Sequence, residues 1–362
     1  MTTSVTDEPT ADPAPVTSED SVYQLKWIEW NGAFAPIVTQ NRNGPCPLLA
    51  LCNALLLRQM ILLSYGSTVT TSSQLIHKLG ALLLEGVPKD LPEGERSNYE
   101  QNIQDAMAVF PKLQTGLDIN VVFNTVTSFE FTSEMGVFDL LGVQLYHGWL
   151  PDPQDTPTHD LVHGLSYNQL VEKSIVGSGS GDPQEVQNAL LREQFLQSSG
   201  SQLTYHGLCE LNTCVPEGEI AVFFRNNHFS TLMKRQGRLL LLVTDHGFVN
   251  EQEYVWQFLQ DIDGDGDFLD ARFKRSKHSR TQTAESQSSH SSPTPPSLTS
   301  PTADDRVQDY QLALRLQQEE QHRAIQARDQ ALAMRLQKQE VKREREREMA
   351  EDKSDRGECL LL

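Results

Sequence analysis

Cations are scarce in this chain. Lys and Arg number 30 against 49 Asp and Glu, giving a formal net charge of -19 and a pI near 4.9. That balance disfavours nucleic acid as a partner, because phosphates need a basic footprint. Long apolar runs are missing too: none approaches the ~18 residues that span a bilayer. Met1 is followed by Thr-Thr-Ser and acidic residues, not by a basic stretch and an apolar one, so no secretory leader is expected. Cysteine is sparse and odd in number, at Cys46, Cys52, Cys209, Cys214 and Cys359. Free thiols in a reducing, cytoplasmic setting are therefore expected, with nuclear access left open. Metal-ligand patterns are also absent. Cys209 and Cys214 lack CxxC spacing. DIDGDGDFLD offers Asp261, Asp263, Asp265 and Gly266 of a calcium loop, but the twelfth position, which needs a bidentate Glu, is Arg272. VGSGSGDP lacks the Lys-Ser/Thr of a phosphate loop. No metal and no other cofactor is expected.

The apolar fraction, 38%, is diluted by polar segments at both ends. Residues 1–20 are rich in Thr, Pro and acid and read as disordered. One large folded unit is expected over 21–273, then a Ser/Thr/Pro-rich linker over 274–303, a helix-forming tail over 304–350, and a terminal segment over 351–362. Within the folded unit, VYQLKWIEWNGAFAPIVTQ alternates as a strand pair with Asn31-Gly32 as its turn. CPLLALCNALLL is apolar nearly all round, the mark of a buried helix, and Pro47 suits its first turn. SSQLIHKLGALLLEG predicts a second helix capped by Ser72 or Ser73, and LDINVVFNTVTSFEF predicts a strand. MGVFDLLGVQLYHGWLPDP reads as helix, strand and loop. SYNQLVEKSI and EVQNALLREQFLQSS read as helices joined by VGSGSGDPQ. EIAVFF, HFSTLMK and LLLLVTD, turning at Arg225–Asn227 and at Gln236-Gly237, predict an antiparallel meander. The class is α+β.

The chemistry concentrates at TQNRNGPCPLL. Cys46 stands at the start of the buried helix, where unpaired N–H groups and the positive dipole end lower a thiol pKa. Gln40, six residues upstream, has an amide that could hold an oxyanion together with the Cys46 N–H. Cys52, deeper among leucines, reads as core. A cysteine nucleophile needs a histidine base supplied by the fold. Of 10 histidines, His228 opens a strand at the meander's rim, with His246 as the main competitor. Cysteine on a helix and histidine on a later antiparallel strand is the papain-like order. If the hairpin turns at Gln236-Gly237, His228 faces Asp245. Asp245, Asn226 and Asn227 all remain candidates to orient the imidazole.

QNRNGPCPLLALCNALLLR, followed by NNHFSTL and LLVTDHGF, resembles the MINDY family of cysteine deubiquitinases over roughly Tyr23 to Arg272. The resemblance implies a papain-related fold that cleaves polyubiquitin of the degradative, proteasome-targeting linkage, preferring long chains and trimming from the distal end. By motif position it makes Cys46 the nucleophile, His228 the base and Gln40 the oxyanion donor. It also implies ubiquitin contacts near the cleft, for which Ile119, Trp149, Tyr167 and Phe224 are candidates alongside a core role. A catalytically idle ubiquitin-binding adaptor is the alternative.

The tail carries an internal repeat, DYQLALRLQQ and DQALAMRLQK, offset by 20 residues. Leu312, Ala313 and Leu316, matched by Leu332, Ala333 and Leu336, form an apolar face with a small residue that admits close approach. It resembles the inverted ubiquitin-interacting helix, with a short coiled coil as the alternative. The terminal Cys359-Leu360-Leu361-Leu362 fits prenylation at Cys359, and one lipid would give reversible membrane association. The partners expected are polyubiquitin chains and ubiquitinated proteins, with the protein itself a monomer.

Overall fold

The computed structural model describes residues 20–41, 44–87, 92–262 and 266–276, together with Arg323. The expectations for residues 1–19, for most of the linker, for both tail repeats (Leu312, Ala313, Leu316, Leu332, Ala333 and Leu336) and for Cys359 lie outside these residues. So do two of the three acids named as calcium-loop positions, Asp263 and Asp265. Among the described residues no group of His, Cys, Asp and Glu is placed to hold a metal, and no helix is long and apolar enough to cross a membrane.

The architecture is α+β, with two sheets clasping one helix. The first sheet has the order β2-β1-β3, from β1 (Val22–Trp30), β2 (Ala33–Val38) and β3 (Val69–Thr71). Asn31 and Gly32 both have positive φ, as a two-residue hairpin turn with matching twist demands. The second sheet runs β4-β5-β6-β7-β8-β9, from β4 (Leu145–Tyr146), β5 (Ile220–Arg225), β6 (His228–Arg235), β7 (Arg238–Leu242), β8 (Trp256–Phe258) and β9 (Phe268–Leu269). β4 joins parallel to β5, and every later pairing is antiparallel. The predicted meander is thus the centre of a wider sheet.

Helix α1 (Cys46–Leu57) lies between the sheets, touching β2 on one side and β5 and β6 on the other. Two apolar walls explain why its sequence is apolar all round: every residue from Pro47 to Leu57 is buried. The remaining helices, α2 (Ser72–Glu85), α3 (Glu93–Leu113), α4 (Ser133–Leu140), α5 (Thr156–Val162), α6 (Tyr167–Ser178), α7 (Pro183–Ser198) and α8 (Tyr205–Cys214), surround this unit.

Three local expectations are corrected. The cap of α2 is Thr71, whose hydroxyl accepts from the Gln74 N–H while the Gln74 side chain returns to the Thr71 N–H; Ser72 and Ser73 are already helical. LDINVVFNTVTSFEF makes only isolated bridges, Val121 with Phe129 and Val122 with Ser166, because it wraps the ends of other elements instead of joining a sheet. Most of the presumed flexible connector is helix, since α6 continues to Ser178 and α7 starts at Pro183 behind an Asp182 cap. The helices α3, α5 and α8 were not expected from the sequence.

Candidate active site

Three chain segments converge at the first turn of α1. Pro45 caps the helix without a side-chain hydrogen bond, so the first-turn N–H groups remain directed at the Cys46 end. The backbone N–H groups of Cys46 and Phe229 lie near enough to the Cys46 sulfur to favour its thiolate. The second donor follows from register. Arg225 pairs with His228 across the turn and Phe224 with Phe229. In a two-residue hairpin the first pair exchanges both bonds and the next pair none, so the Phe229 N–H points out of the ladder. Pairing of β6 with β7 reaches only as far as Leu232, which leaves that N–H for the sulfur.

His228 is therefore next in sequence to a group that touches the thiol. Its placement depends on Asn226 and Asn227, which hold positive φ of 49° and 57° and form the tight turn. His228 and Cys46 are each half-buried as residues. Burial still governs their titration: it pushes the Cys46 thiol up to about 11, against the pull of the two N–H groups. It pushes the His228 imidazole down to about 4. The His228 Nδ1 is buried and has no hydrogen-bond partner among the described residues. None of the proposed orienting groups serves it. The Asp245 carboxylate accepts from the Gly247 N–H at 2.6 Å, and the Asn226 N–H donates to Gln202 at 3.0 Å. The register sum that opposed His228 to Asp245 holds in the β6–β7 ladder, but the ladder ends before reaching them.

Gln40 lies on the extension of β2. Its N–H donates to the Thr244 carbonyl at 2.6 Å, its carbonyl accepts from the His246 N–H at 3.2 Å, and it bridges Asp245 in parallel. Its side-chain amide donates to the Gly44 carbonyl at 2.9 Å, two residues before Cys46. A methyl on Gly44 would press on the Gln40 Cγ at 3.1 Å, so this close approach uses the missing side chain. His246 is exposed in a short 3₁₀ turn, His246–Phe248, and meets Gln40 through its backbone.

Two buried side chains that sequence reasoning passed over tie these segments together. Asn53 of α1 accepts from the Val38 N–H at 2.8 Å and donates to the Val38 carbonyl at 3.0 Å. Thr231 of β6 donates to the Ala50 carbonyl of α1 at 3.0 Å. The signal for Asn53 was present: a lone amide amid leucines.

The proposed ubiquitin-contact residues divide. Trp149 and Phe224 are 4% and 5% exposed and belong to the core, the role left open beside ubiquitin contact. Trp149 bonds Ser199 at 2.7 Å and packs against Phe123, Phe195 and Tyr167. Phe224 packs on Phe229 with ring centres 5.0 Å apart. Ile119 and Tyr167 are half-buried and keep some surface. A groove of about 430 Å³, lined in part by Leu208, Cys209, Arg238 and Phe258, contains none of the candidate catalytic residues.

Comparison with known proteins adds to this geometry. A family model described as MINDY deubiquitinase matches residues 21–273. Ubiquitin carboxyl-terminal hydrolase MINDY-2 of Mus musculus is 50% identical over 305 residues, 84% of this chain and 48% of that protein. Ubiquitin carboxyl-terminal hydrolase MINDY-1 of Homo sapiens is 51% identical over 258 residues, 71% and 55% respectively. The protein of the same name from Pongo abelii is 46% identical over 316 residues, 87% and 66%. The chain spans about half the length of the first two.

Proposed function

The chain belongs to the MINDY deubiquitinase family, and from that premise we propose that it is a cysteine hydrolase cleaving isopeptide bonds in polyubiquitin. The Cys46 thiolate attacks the carbonyl carbon. The oxyanion is held by the Gln40 amide and the Cys46 N–H, a class of donor worth about 10²–10³ in kcat when one is removed. His228 takes the Cys46 thiol proton and gives it to the leaving lysine amine; water then opens the acyl-enzyme as His228 takes its proton and returns it to the departing Cys46 sulfur. The observation that supports this most is the meeting of three segments at the start of α1: Cys46 in its first turn, the Phe229 N–H beside His228 near the thiol, and the Gln40 side chain on Gly44 just before it.

Finer points of the proposal rest on resemblance and sequence. The linkage is the degradative, proteasome-targeting one, and long chains are preferred. The tail repeats bind ubiquitin through Leu312, Ala313, Leu316, Leu332, Ala333 and Leu336. Cys359 carries a prenyl group, and the protein is a cytoplasmic monomer that associates reversibly with membranes.

One observation favours the adaptor reading. Burial pushes the thiol up to about 11 and the imidazole down to about 4, which favours the neutral form of each, and the His228 Nδ1 has no hydrogen-bond partner among the described residues. A panel of linkage-defined polyubiquitin chains, offered to the protein and to Cys46→Ala, decides. Cleavage of one linkage, lost in the variant, supports the hydrolase. Chains bound but uncut by both would leave the adaptor.

A further inference from the structure

We propose that Asn53 is a positioning residue that fixes the Gln40 amide relative to Cys46. The inference rests on the cysteine-hydrolase reading above. Asn53 is fully buried in the most apolar helix of the chain, where an unpaired amide would be costly. Its two hydrogen bonds, 2.8 and 3.0 Å, take both backbone groups of one residue, Val38. A two-point attachment fixes that peptide against sliding along the helix and against rotation, which one bond would not do.

The two ends of this link are the two parts of the candidate oxyanion site. Asn53 follows Cys46 by seven residues, about 20° short of two full helical turns, so both side chains project from one face of α1. Val38 ends β2, and Gln40 is the second residue beyond it. Between them Thr39 returns to the Gln24 carbonyl through its N–H at 2.9 Å and its hydroxyl at 3.0 Å. Gln40 itself is pinned by Thr244 and His246. The path from Cys46 to the Gln40 amide is thus a closed frame of helix, amide clamp and strand extension. A leucine would fill the Asn53 site without a polar group but would leave Val38 unpaired, so the strand extension carrying Gln40 would keep its bonds to Gln24, Thr244 and His246 and lose its attachment to α1. Misplacement of a catalytic group by about 1 Å can cost about 100-fold in rate.

The test is a double-mutant cycle in the full chain, on a polyubiquitin substrate that the unaltered protein cleaves. Gln40→Ala, Asn53→Asp and the combined variant are compared by kcat, KM and the rate at which iodoacetamide alkylates Cys46. Asn53→Asp keeps the shape and the acceptor; protonated, its O–H can still donate to the Val38 carbonyl, and ionised it loses that donor. Its kcat is therefore compared with that of the unaltered protein from about pH 6 to 9, and a ratio that does not fall with rising pH for this variant, or is not lowered at any pH for Asn53→Leu, would overturn the proposal. The expected result is a kcat loss of about 10- to 100-fold for Asn53→Asp, with KM and alkylation changed by less than about twofold. The combined variant should be no slower than Gln40→Ala alone, because both act through one group. Independent losses that multiply, or alkylation falling in step with kcat, would overturn the proposal. Asn53→Leu is the second variant if the aspartate prevents folding. Failure of both to fold would assign Asn53 to stability alone. No cleavage by the unaltered protein would instead remove the hydrolase reading itself.

Discussion

Cys46 sits where helix geometry favours a thiolate, yet its burial opposes one, and the second effect prevails at rest. Alkylation of Cys46 should therefore climb about tenfold per pH unit from pH 7 to 10, since only the thiolate reacts. Mass spectrometry of the Cys46 peptide separates it from the exposed Cys209 and Cys214. A flat profile above pH 6 would mean a preformed thiolate–imidazolium pair. His147 supplies a second residue-scale test. It is buried, its Nε2 reaches the Ser128 carbonyl at 3.1 Å, and its Nδ1 accepts from the Trp149 N–H at 3.2 Å. Burial lowers its pKa to about 4, and a proton on Nδ1 would also oppose the Trp149 N–H. The folded pKa lies below the unfolded value near 6.5, so the unfolded chain binds the extra proton between about 4 and 6.5. Stability should be full above pH 6.5 and fall by about 3 kcal/mol as pH drops to 4, from this residue alone. Urea midpoints measured from pH 7 to 5, above the range where carboxylates titrate, would contradict this if they did not move.

At the scale of elements, the contact between α8 and the loop after β4 depends on a pair of glycines. A methyl on Gly207 would overlap the backbone carbonyl of Gly148, which has no flexible end to swing aside. Gly207→Ala should cost about 3 kcal/mol, read as a lowered urea midpoint. An unchanged midpoint would mean that the α8 end shifts freely. The elements most legible in the sequence were those whose pattern is set by their own surroundings. α1 is apolar all round because walls stand on both sides, and β5 to β7 carry their turns at Asn226-Asn227 and Gln236-Gly237. Cys46 and His228 were legible for the same reason, each marking the end of such an element. What escaped was set by tertiary context. Residues 117–131 have strand composition but make only isolated bridges, Val121 with Phe129 and Val122 with Ser166, and meet the start of α6 where Asn120 accepts from the Asn168 N–H. The expected partner of His228, Asp245, was placed by a register sum that holds between β6 and β7 only as far as Leu232 with Leu241; the chain beyond stays with β8 through Val243 and Val255, and Asp245 bridges Gln40.

For the whole molecule, the arrangement argues that catalysis and chain targeting are separable. The core that surrounds α1 is built from residues 23–269, and the tail repeats begin some 40 residues later. The sequence from 277 to 303, 27 residues rich in Ser, Thr and Pro, would have an r.m.s. span of about 30 Å if it serves as the linker expected from its composition. If the tail repeats bind ubiquitin as proposed, tethering at that reach would raise the local concentration of chain near Cys46 to about millimolar without any contact to the site. They help only when one bound substrate is long enough to occupy a repeat and the cleft together. Deleting residues 306–340 should therefore slow cleavage of long chains by about 10-fold or more while leaving a two-ubiquitin substrate nearly unchanged. The measurement is initial rate against chain length at fixed enzyme for both proteins. Equal losses at every length would make the tail a general activator, and no loss at any length would remove it from substrate targeting.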